Sequence, residues 1–333
     1  VKRYLIIGGV AGGASAAARL RRLDEKADII MLERGRDVSF SNCALPYFIG
    51  GDIASSEELK LISPETFWQR YRIDARPLTE AVAIDRAVKT VKVRNLETGE
   101  EKSLPYDTLF LSPGASPIIP GTIPGIDLPH VFSVRNVADV EKIDRYLKQH
   151  PVKETAVIGG GFIGLEMAEN LRKKGLAVTV ADLAPQVMLP FDPDIAQILH
   201  KEIVDHGVAM ALGDGLKAIE EQGDSKLQVQ TASGKIYPAD FVILAIGVRP
   251  ENQLAKKTGL NLGERGHVVV DEYMCTSDPD IYAVGDVVQV KHRISGQPIG
   301  LALAGPASKQ GRVAADSIAG KPREFKGVSG TSV

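Results

Sequence analysis

Thr155-Ala156-Val157-Ile158-Gly159-Gly160-Gly161-Phe162-Ile163-Gly164 decides how this chain is read. A short strand runs into a complete G-x-G-x-x-G. Leu165 to Lys174 then reads as a helix closed by Gly175, and Val178 to Ala181 as a second strand ending at Asp182. Strand, glycine turn, helix, strand, acid is the order of a dinucleotide-binding βαβ unit. The glycines let the backbone approach a pyrophosphate, and the helix N-terminus supplies N–H donors and the positive end of its dipole. Gly159, Gly161, Ile163 and Gly164 are therefore expected at the nucleotide. Asp182 is placed to bond a ribose 2′-hydroxyl and to repel a 2′-phosphate. No arginine follows it closely, which favours NADH over NADPH.

The same plan opens the chain. Tyr4 to Ile7 is a short apolar strand, Gly8-Gly9-Val10-Ala11-Gly12-Gly13 a glycine turn, Ala14 to Leu23 a helix, and Asp28 to Leu32 a strand ending at Glu33. The fingerprint is imperfect: counted from Gly8 the middle glycine is Val10, and counted from Gly9 the first is missing. Glu33 lies 20 residues beyond Gly13, at the distance of a ribose ligand. Gly8, Gly9, Ala11, Gly12, Gly13, Glu33 and Arg34 are expected to hold a nucleotide; the bland alternative is a turn that only lets a helix pack on a strand. Two such units imply two dinucleotides, or one dinucleotide and a prosthetic group.

Ser39-Phe40-Ser41-Asn42-Cys43-Ala44-Leu45-Pro46-Tyr47 follows the first unit and holds one of only two cysteines. A lone cysteine is ordinarily a small buried hydrophobe. Beside a nucleotide unit, Cys43 reads as redox-active. Passing electrons from a diffusible nicotinamide to a thiol needs a converter, and a flavin takes a hydride as an electron pair and hands it to sulfur.

The connecting region reads as scaffold. Phe48 to Asp52 looks like a helix running into a glycine stop. Ser63-Pro64 begins another helix, and Trp68, the single tryptophan, is expected to pack. Ala81–Asp85, Thr90–Asn95 and Glu101–Tyr106 read as a meander. Tyr106 to Leu111 is an apolar strand leading into Ser112-Pro113-Gly114, where the backbone meets a cofactor. The proline-rich run from Pro113 to Pro129 is a crossover.

Phe241 to Pro250 reads as a buried strand ending in a glycine turn at Gly247, and Val268 to Asp271 as a short strand. Ile281 to Val284 leads into Gly285-Asp286, and Asp286 is placed to bond the sugar-like chain of a flavin. A helix starts around Ala304 to Arg312, its dipole suited to negative charge on a reduced flavin. Cys275 has no partner in any pattern and is expected to be structural.

Length fits about two domains, and 44% hydrophobic with 25% charged residues is ordinary globular composition. A net charge of −2 gives no electrostatic case for nucleic acid or an anionic membrane. Two cysteines make no disulfide framework, no apolar run reaches membrane-spanning length, and Lys2-Arg3 leads directly into a strand rather than a signal peptide. The expectation is a soluble cytoplasmic protein, with no metal-ligand set assigned.

Taken together, these motifs make the chain resemble the pyridine nucleotide–disulfide oxidoreductases. Ser39 to Tyr47 is similar to their single-cysteine branch, which includes coenzyme A disulfide reductase, NADH oxidase, NADH peroxidase and NADH-dependent persulfide reductase. Gly159 to Glu166, Ala245 to Pro250, Thr276 to Asp286 and Gly305 to Arg312 support the likeness. It implies an α/β fold with two Rossmann-like dinucleotide-binding domains of the FAD/NAD(P)-linked disulfide reductase type. FAD is implied in the first unit and NADH or NADPH in the second. Residues 1–115 and 249–322 are expected to form the FAD domain and 116–248 the NAD(P)H domain.

Phe162 matches an aromatic that covers the flavin until nicotinamide displaces it, and Glu166 an acid near both rings. Ser15, Arg19, Arg22, Ser39 and Asn42 match positions that line a coenzyme A site. Arg19 and Arg22 are three apart and share a helix face; a solvated basic face is the alternative. No second cysteine stands near Cys43, which disfavours the dithiol reductases. Oxidases and peroxidases of the branch carry a histidine where this chain has Ala11.

Relatives continue into a C-terminal dimerisation domain, some also into a rhodanese domain. Residues 323–333 read as its start, so a homodimer through a segment beyond this chain is expected. The implied activity is reduction of coenzyme A disulfide, coenzyme A persulfide or polysulfide by NAD(P)H through FAD and Cys43. The alternatives are an oxidase or peroxidase working through a cysteine sulfenic acid, and a redox-sensing electron-transfer flavoprotein.

Overall fold

The structure is a computed structural model that describes residues 1–223 and 226–330. β1 (Arg3–Ile7), α1 (Ala11–Leu23) and β2 (Asp28–Leu32) open the chain. A 3-10 turn over Asn42–Ala44 runs into α2 (Leu45–Gly50), which Gly51 stops at φ 91°. α3 (Pro64–Tyr71) starts where Ser63 accepts from the Thr66 amide. β3 (Ile73–Arg76) follows, then the antiparallel meander of β4 (Thr79–Asp85), β5 (Thr90–Asn95) and β6 (Glu101–Pro105).

After β7 (Thr108–Leu111), β8 (Ala115–Pro117) and the proline-rich stretch comes β9 (Val131–Ser133). α4 (Val137–Gln149) has a complete capping box: the Asn136 side chain accepts from the Asp139 amide, and the Asp139 carboxylate accepts from the Asn136 amide. This closes two orphan donors at once. Asn136→Ala is expected to lower stability by about 1 kcal/mol, read as a reduced urea midpoint at unchanged slope.

β10 (Glu154–Ile158), α5 (Phe162–Lys173) and β11 (Ala177–Asp182) repeat the opening plan. α6 (Pro193–Asp205) and β12 (Val208–Leu212) precede a three-stranded sheet of β13 (Leu216–Gln222), β14 (Lys226–Thr231) and β15 (Ile236–Ala239). The apolar run after Asp240 is divided. β16 (Phe241–Leu244) ends before Gly247, whose φ of 118° breaks the strand, and β17 (Val248–Pro250) is separate. α7 (Gln253–Lys257), β18 (Val268–Val269), β19 (Ile281–Ala283), β20 (Val288–Lys291), β21 (Pro298–Ile299) and α8 (Ala304–Ile318) follow.

The chain forms two units. Residues 1–40, 60–116 and 249 onward make the first; 41–59 and 117–248 make the second. The first is built on a parallel sheet of order β19-β7-β1-β2-β3, the second on one of order β12-β11-β10-β16-β9. Both are α/β with Rossmann-type sheets. Leu5 stands opposite Ile30 and Leu109, and Val157 opposite Val180 and Ile243, all buried. Such sheets are covered on both faces, which is why their strands read as unbroken apolar runs. Strand order reverses at β1 and again at β10, where ligands bind outside the carboxyl ends of the strands.

Trp68 corrects one expectation. It is 52% exposed, with the Arg72 guanidinium 5.4 Å from its ring centre, while its neighbour Phe67 fills the core. Successive helix positions point about 100° apart, so α3 turns one aromatic in and the next out. Phe325 packs against the core of the first unit and Val328 is buried there. Of the segment read as the start of a further domain, Thr331, Ser332 and Val333 lie outside the described residues. Among the described residues no helix is long and apolar enough to cross a membrane.

Candidate functional site

The carboxyl ends of β1, β2, β7 and β19 collect the candidates of the first unit. Gly8 follows β1 at φ 100°, and a Cβ there would stand 1.9 Å from the Ser112 carbonyl oxygen beyond β7. A Cβ at Gly13 would stand 1.9 Å from the Gly8 carbonyl oxygen. Glu33, at the end of β2, accepts from the Gly9 amide at 2.9 Å and the Gly35 amide at 2.8 Å. Arg34 lies 3.9 Å from Glu80 and 3.7 Å from Glu251. Gly114 takes φ 75°, and its carbonyl accepts from the Glu251 amide. Pro113 lies between Ser112 and Gly114 in this turn. Gly12, Ser112 and Gly285 converge: a Cβ on Gly12 would meet the Ser112 hydroxyl at 2.7 Å, and one on Gly285 would meet it at 3.5 Å.

The second unit repeats this geometry residue for residue. A Cβ at Gly159, φ 114°, would stand 2.3 Å from the Ala245 carbonyl oxygen, and one at Gly164 would stand 1.9 Å from the Gly159 carbonyl oxygen. Asp182 accepts from the Gly160 amide at 2.5 Å and the Ala184 amide at 2.7 Å, as Glu33 does from Gly9 and Gly35. Gly161 has open space where its Cβ would be. Val10, the residue that spoils the first fingerprint, takes φ −102° against −84° for Gly161. Negative φ needs no glycine, so valine there leaves the backbone unstrained.

Both cradles suit a dinucleotide. Their glycines exclude side chains where strand and helix close up, and each carboxylate is held rigidly at its strand end. α1, α5 and α8 begin at Val10, Gly161 and Leu303 with no capping side chain. Their first-turn N–H groups are therefore open to an anionic ligand. Ala304 is the first residue of α8, and Asp286 is half-buried after β19. The sequence reading missed Gln310: buried on α8, it accepts from the Gly285 amide at 2.7 Å and fixes the Gly285-Asp286 turn. A polar residue between Ala307, Gly311 and Ala314 on a helix face of small residues was the available signal.

In the second unit Cys43 is an exposed free thiol in the 3-10 turn that leads into α2. Asn42 beside it donates to the Arg135 carbonyl at 3.2 Å. α2 lies on α5 by way of Gly50, where a Cβ would meet Asn170 Oδ1 at 2.0 Å. Asn170 is fully buried and donates to the Glu166 carbonyl at 2.8 Å. Phe162, the first residue of α5, is 51% exposed, and Ile163 beside it is exposed too. Gly247 accepts from the Ile118 amide at 3.0 Å.

Burial, with Glu169 nearby, raises the Glu166 carboxyl above its ordinary range. The folded chain thus keeps a proton that the unfolded chain has lost, and stability falls as pH rises through that window. Glu166→Gln removes the penalty. It is expected to raise the melting temperature of the ligand-free protein at neutral pH and to match wild type below about pH 4, where both states are protonated. A wild-type melting profile at every pH would refute it.

Ser15, Arg19, Arg22 and Ser39 belong to the first unit. Ser15, Arg19 and Arg22 are spaced i, i+4 and i+7 on α1, with Arg22 exposed. Arg19 donates through Nε to the buried Asp316 of α8 at 2.7 Å. Ser39 is pinned at φ 48° by its amide on the Gly9 carbonyl and its carbonyl under the Leu61 amide, both 2.8 Å. A left-handed L-residue costs roughly 1–2 kcal/mol, so this loop is held against strain. Cys275, in the same unit, is half-buried and lies 3.7 Å from the Asp278 carbonyl; burial, then Asp271, raises its thiol.

Residues 2–311 match the model of the family described as Pyridine nucleotide-disulphide oxidoreductase. An "NADH oxidase" of Methanocaldococcus jannaschii is 38% identical over 333 residues, covering 99% of this chain and 73% of that protein. An "NAD(P)H sulfur oxidoreductase (CoA-dependent)" of Pyrococcus furiosus is also 38% identical, covering 100% of this chain and 73% of that protein. The crystal structure of reduced Bacillus anthracis CoADR-RHD superposes with a TM-score of 0.96 at 46% identity. It is matched by 99% of this chain, which spans only 59% of its length.

Proposed function

The chain belongs to the pyridine nucleotide-disulphide oxidoreductase family, and on that footing we propose that it reduces a coenzyme A disulfide, coenzyme A persulfide or polysulfide through the single thiol of Cys43. The family works with FAD and NAD(P)H. The carrying observation is that Cys43 is exposed and free while the other cysteine, Cys275, is half-buried in the other unit's loop. With no resolving thiol on its helix, Cys43 must pair with sulfur from the substrate.

The first unit would hold FAD through Gly8 to Gly13, Glu33, Arg34, Ser112 to Gly114 and Asp286. The second would hold the nicotinamide nucleotide through Gly159 to Gly164 and Asp182. When bound, the flavin converts a hydride into an electron pair that sulfur accepts. Cys43 does the remaining chemistry. Its thiolate attacks one sulfur of the substrate S–S bond, a new S–S bond forms to Cys43, and the other sulfur leaves as a thiolate that takes a proton. An electron pair and a proton then cleave the mixed disulfide, releasing the second thiol and restoring Cys43. Ser15, Arg22, Ser39 and Asn42 are proposed to position the coenzyme A portion.

The likeness to the Methanocaldococcus jannaschii "NADH oxidase" supports a second reading, in which Cys43 cycles through a sulfenic acid. Ala11 speaks against it, because a peroxide O–O bond needs a proton as it breaks and alanine has none to give. A redox-sensing flavoprotein is a third reading, and brisk reduction of small disulfides would exclude it. The deciding experiment is the mass of the Cys43 peptide from protein purified without thiols. Added coenzyme A supports the disulfide or persulfide reductase; added oxygen without coenzyme A overturns it in favour of the oxidase.

A further inference from the structure

Asn170 is the costliest residue of α5. It stands fully buried inside the helix, where an apolar straight-chain residue would favour the helix more and bury no polar group. Its Nδ2 donates to the Glu166 carbonyl at 2.8 Å, a carbonyl that the helix ladder already serves. Its Oδ1 finds no donor among the described residues, and a buried acceptor left unpaired bears its full desolvation cost. Stability alone therefore disfavours asparagine here, and an orphaned group of this kind points to a role.

The orphaned oxygen has a definite target. With Nδ2 tied to Glu166, the planar amide aims Oδ1 at Gly50, the last residue of α2. A Cβ on Gly50 would stand 2.0 Å from Oδ1 and 2.8 Å from Cγ of Asn170. One Cα hydrogen of Gly50 thus points at the oxygen, and the α2 backbone rests on a rigid amide with no side chain between. The next two residues continue the contact. Gly51 faces Lys174, and Asp52 pairs with Lys173 at 3.1 Å. Asn170, Lys173 and Lys174 are spaced i, i+3 and i+4, so the end of α2 lies along one face of α5. The Lys173–Asp52 pair is about half exposed on both sides and contributes little. The buried contact at Gly50 is the one that fixes the seat.

Cys43 stands at the other end of this lever. The Leu45 amide donates to the Asn42 carbonyl, and Leu45, Pro46 and Ile49 are buried, so the cysteine turn and α2 form one piece. A six-residue helix is about 9 Å long, so a tilt of about 6° at Gly50 carries the Cys43 end by about 1 Å. A misplacement of about 1 Å can cost about 100-fold in rate. On the footing that Cys43 is the nucleophile, as in the function proposed above, we propose that Asn170 is a positioning residue for its thiol, acting through Gly50 and α2.

Stopped-flow absorbance of the flavin-loaded protein tests this. Asn170→Ala is expected to slow reoxidation of the reduced flavin by coenzyme A disulfide about 10- to 100-fold, with bleaching by NADH and the KM for NAD(P)H unchanged. Gly50→Ala, whose methyl runs into Oδ1, is expected to slow reoxidation at least as much. Adding Asn170→Ala makes room for that methyl, so the double variant is expected to recover about tenfold over Gly50→Ala. Lys173→Gln is expected to stay within about twofold of wild type. Iodoacetamide needs no orientation by the protein, so alkylation of Cys43 is expected within about threefold of wild type throughout. The thiol stays available while its aim is lost.

A merely structural role would lower flavin content and slow both half-reactions together, and that result overturns the proposal. So does a double variant as slow as Gly50→Ala, or alkylation that slows in step with reoxidation. If Gly50→Ala fails to fold, Asn170→Ala against Lys173→Gln decides. Wild-type reoxidation in Asn170→Ala, with Cys43→Ser inactive, overturns the positioning role alone. Wild-type reoxidation in Cys43→Ser overturns the function on which that role rests.

Discussion

Replacing Cys43 by serine is expected to lower disulfide turnover at least about 10³-fold while flavin content and flavin bleaching by NADH stay as in wild type. The nucleophile in thiol–disulfide exchange is the thiolate, and a serine hydroxyl neither ionises comparably nor forms a bond to sulfur that an electron pair can cleave. Cys275 offers no substitute. It is half-buried against the Asp278 carbonyl, and burial raises its thiol, so less of it is in the reactive form. Stopped-flow absorbance separates the two half-reactions. Bleaching followed by no reoxidation on adding disulfide is the expected trace, whereas reoxidation at the wild-type rate would remove Cys43 from the mechanism.

The second large effect comes from a matched pair of substitutions. Gly13→Ala and Gly164→Ala each put a Cβ 1.9 Å from a backbone carbonyl oxygen, that of Gly8 in one unit and of Gly159 in the other. A backbone atom cannot swing aside as a side chain can, so each cradle must spread, at roughly 1–3 kcal/mol or more. Gly13→Ala is expected to leave the protein short of bound flavin, seen as lost visible absorbance. Gly164→Ala is expected to keep the flavin and to raise the KM for NAD(P)H by about ten- to a hundredfold. The opposite pattern, flavin lost with Gly164→Ala and kept with Gly13→Ala, would exchange the cofactor assignments of the two units.

Much of the fold was legible because its signals are local. β1, α1, β2 and their counterparts β10, α5 and β11 each combine an apolar run, a glycine turn and a terminal acid within a short span. β3 was not legible, since Ile73-Asp74-Ala75-Arg76 is four residues with two charges. It becomes a strand only by pairing with β2. α4 carries its own local signal in the Asn136 to Asp139 capping box. At the site, the residues on the glycine loops could be proposed from sequence because backbone geometry dictates them. For Gln310 the small-residue helix face signals burial, but its partner and that of Asp316 cannot be named from sequence because they lie on other elements: Gly285 is 25 residues away, and Arg19 is 297. Trp68 shows the converse limit, as composition says what a side chain prefers but not which way a helix turns it.

The chain leaves the first unit after Phe40 and after Ser116, and returns to it at Lys60 and at Arg249. This interleaving sets an order of assembly during synthesis. The last strand of the second sheet, β16, emerges from the ribosome before β19, which completes the first sheet, and before α8, which packs on α1. β1 and α1, made before the second unit, must therefore wait with an uncovered flank until β19 and α8 arrive, while the later-made unit closes ahead of them. At about 5–20 residues per second, that wait lasts tens of seconds. Until then the flank of α1 that α8 covers stays open to chaperones, and to mispairing with a neighbouring nascent copy.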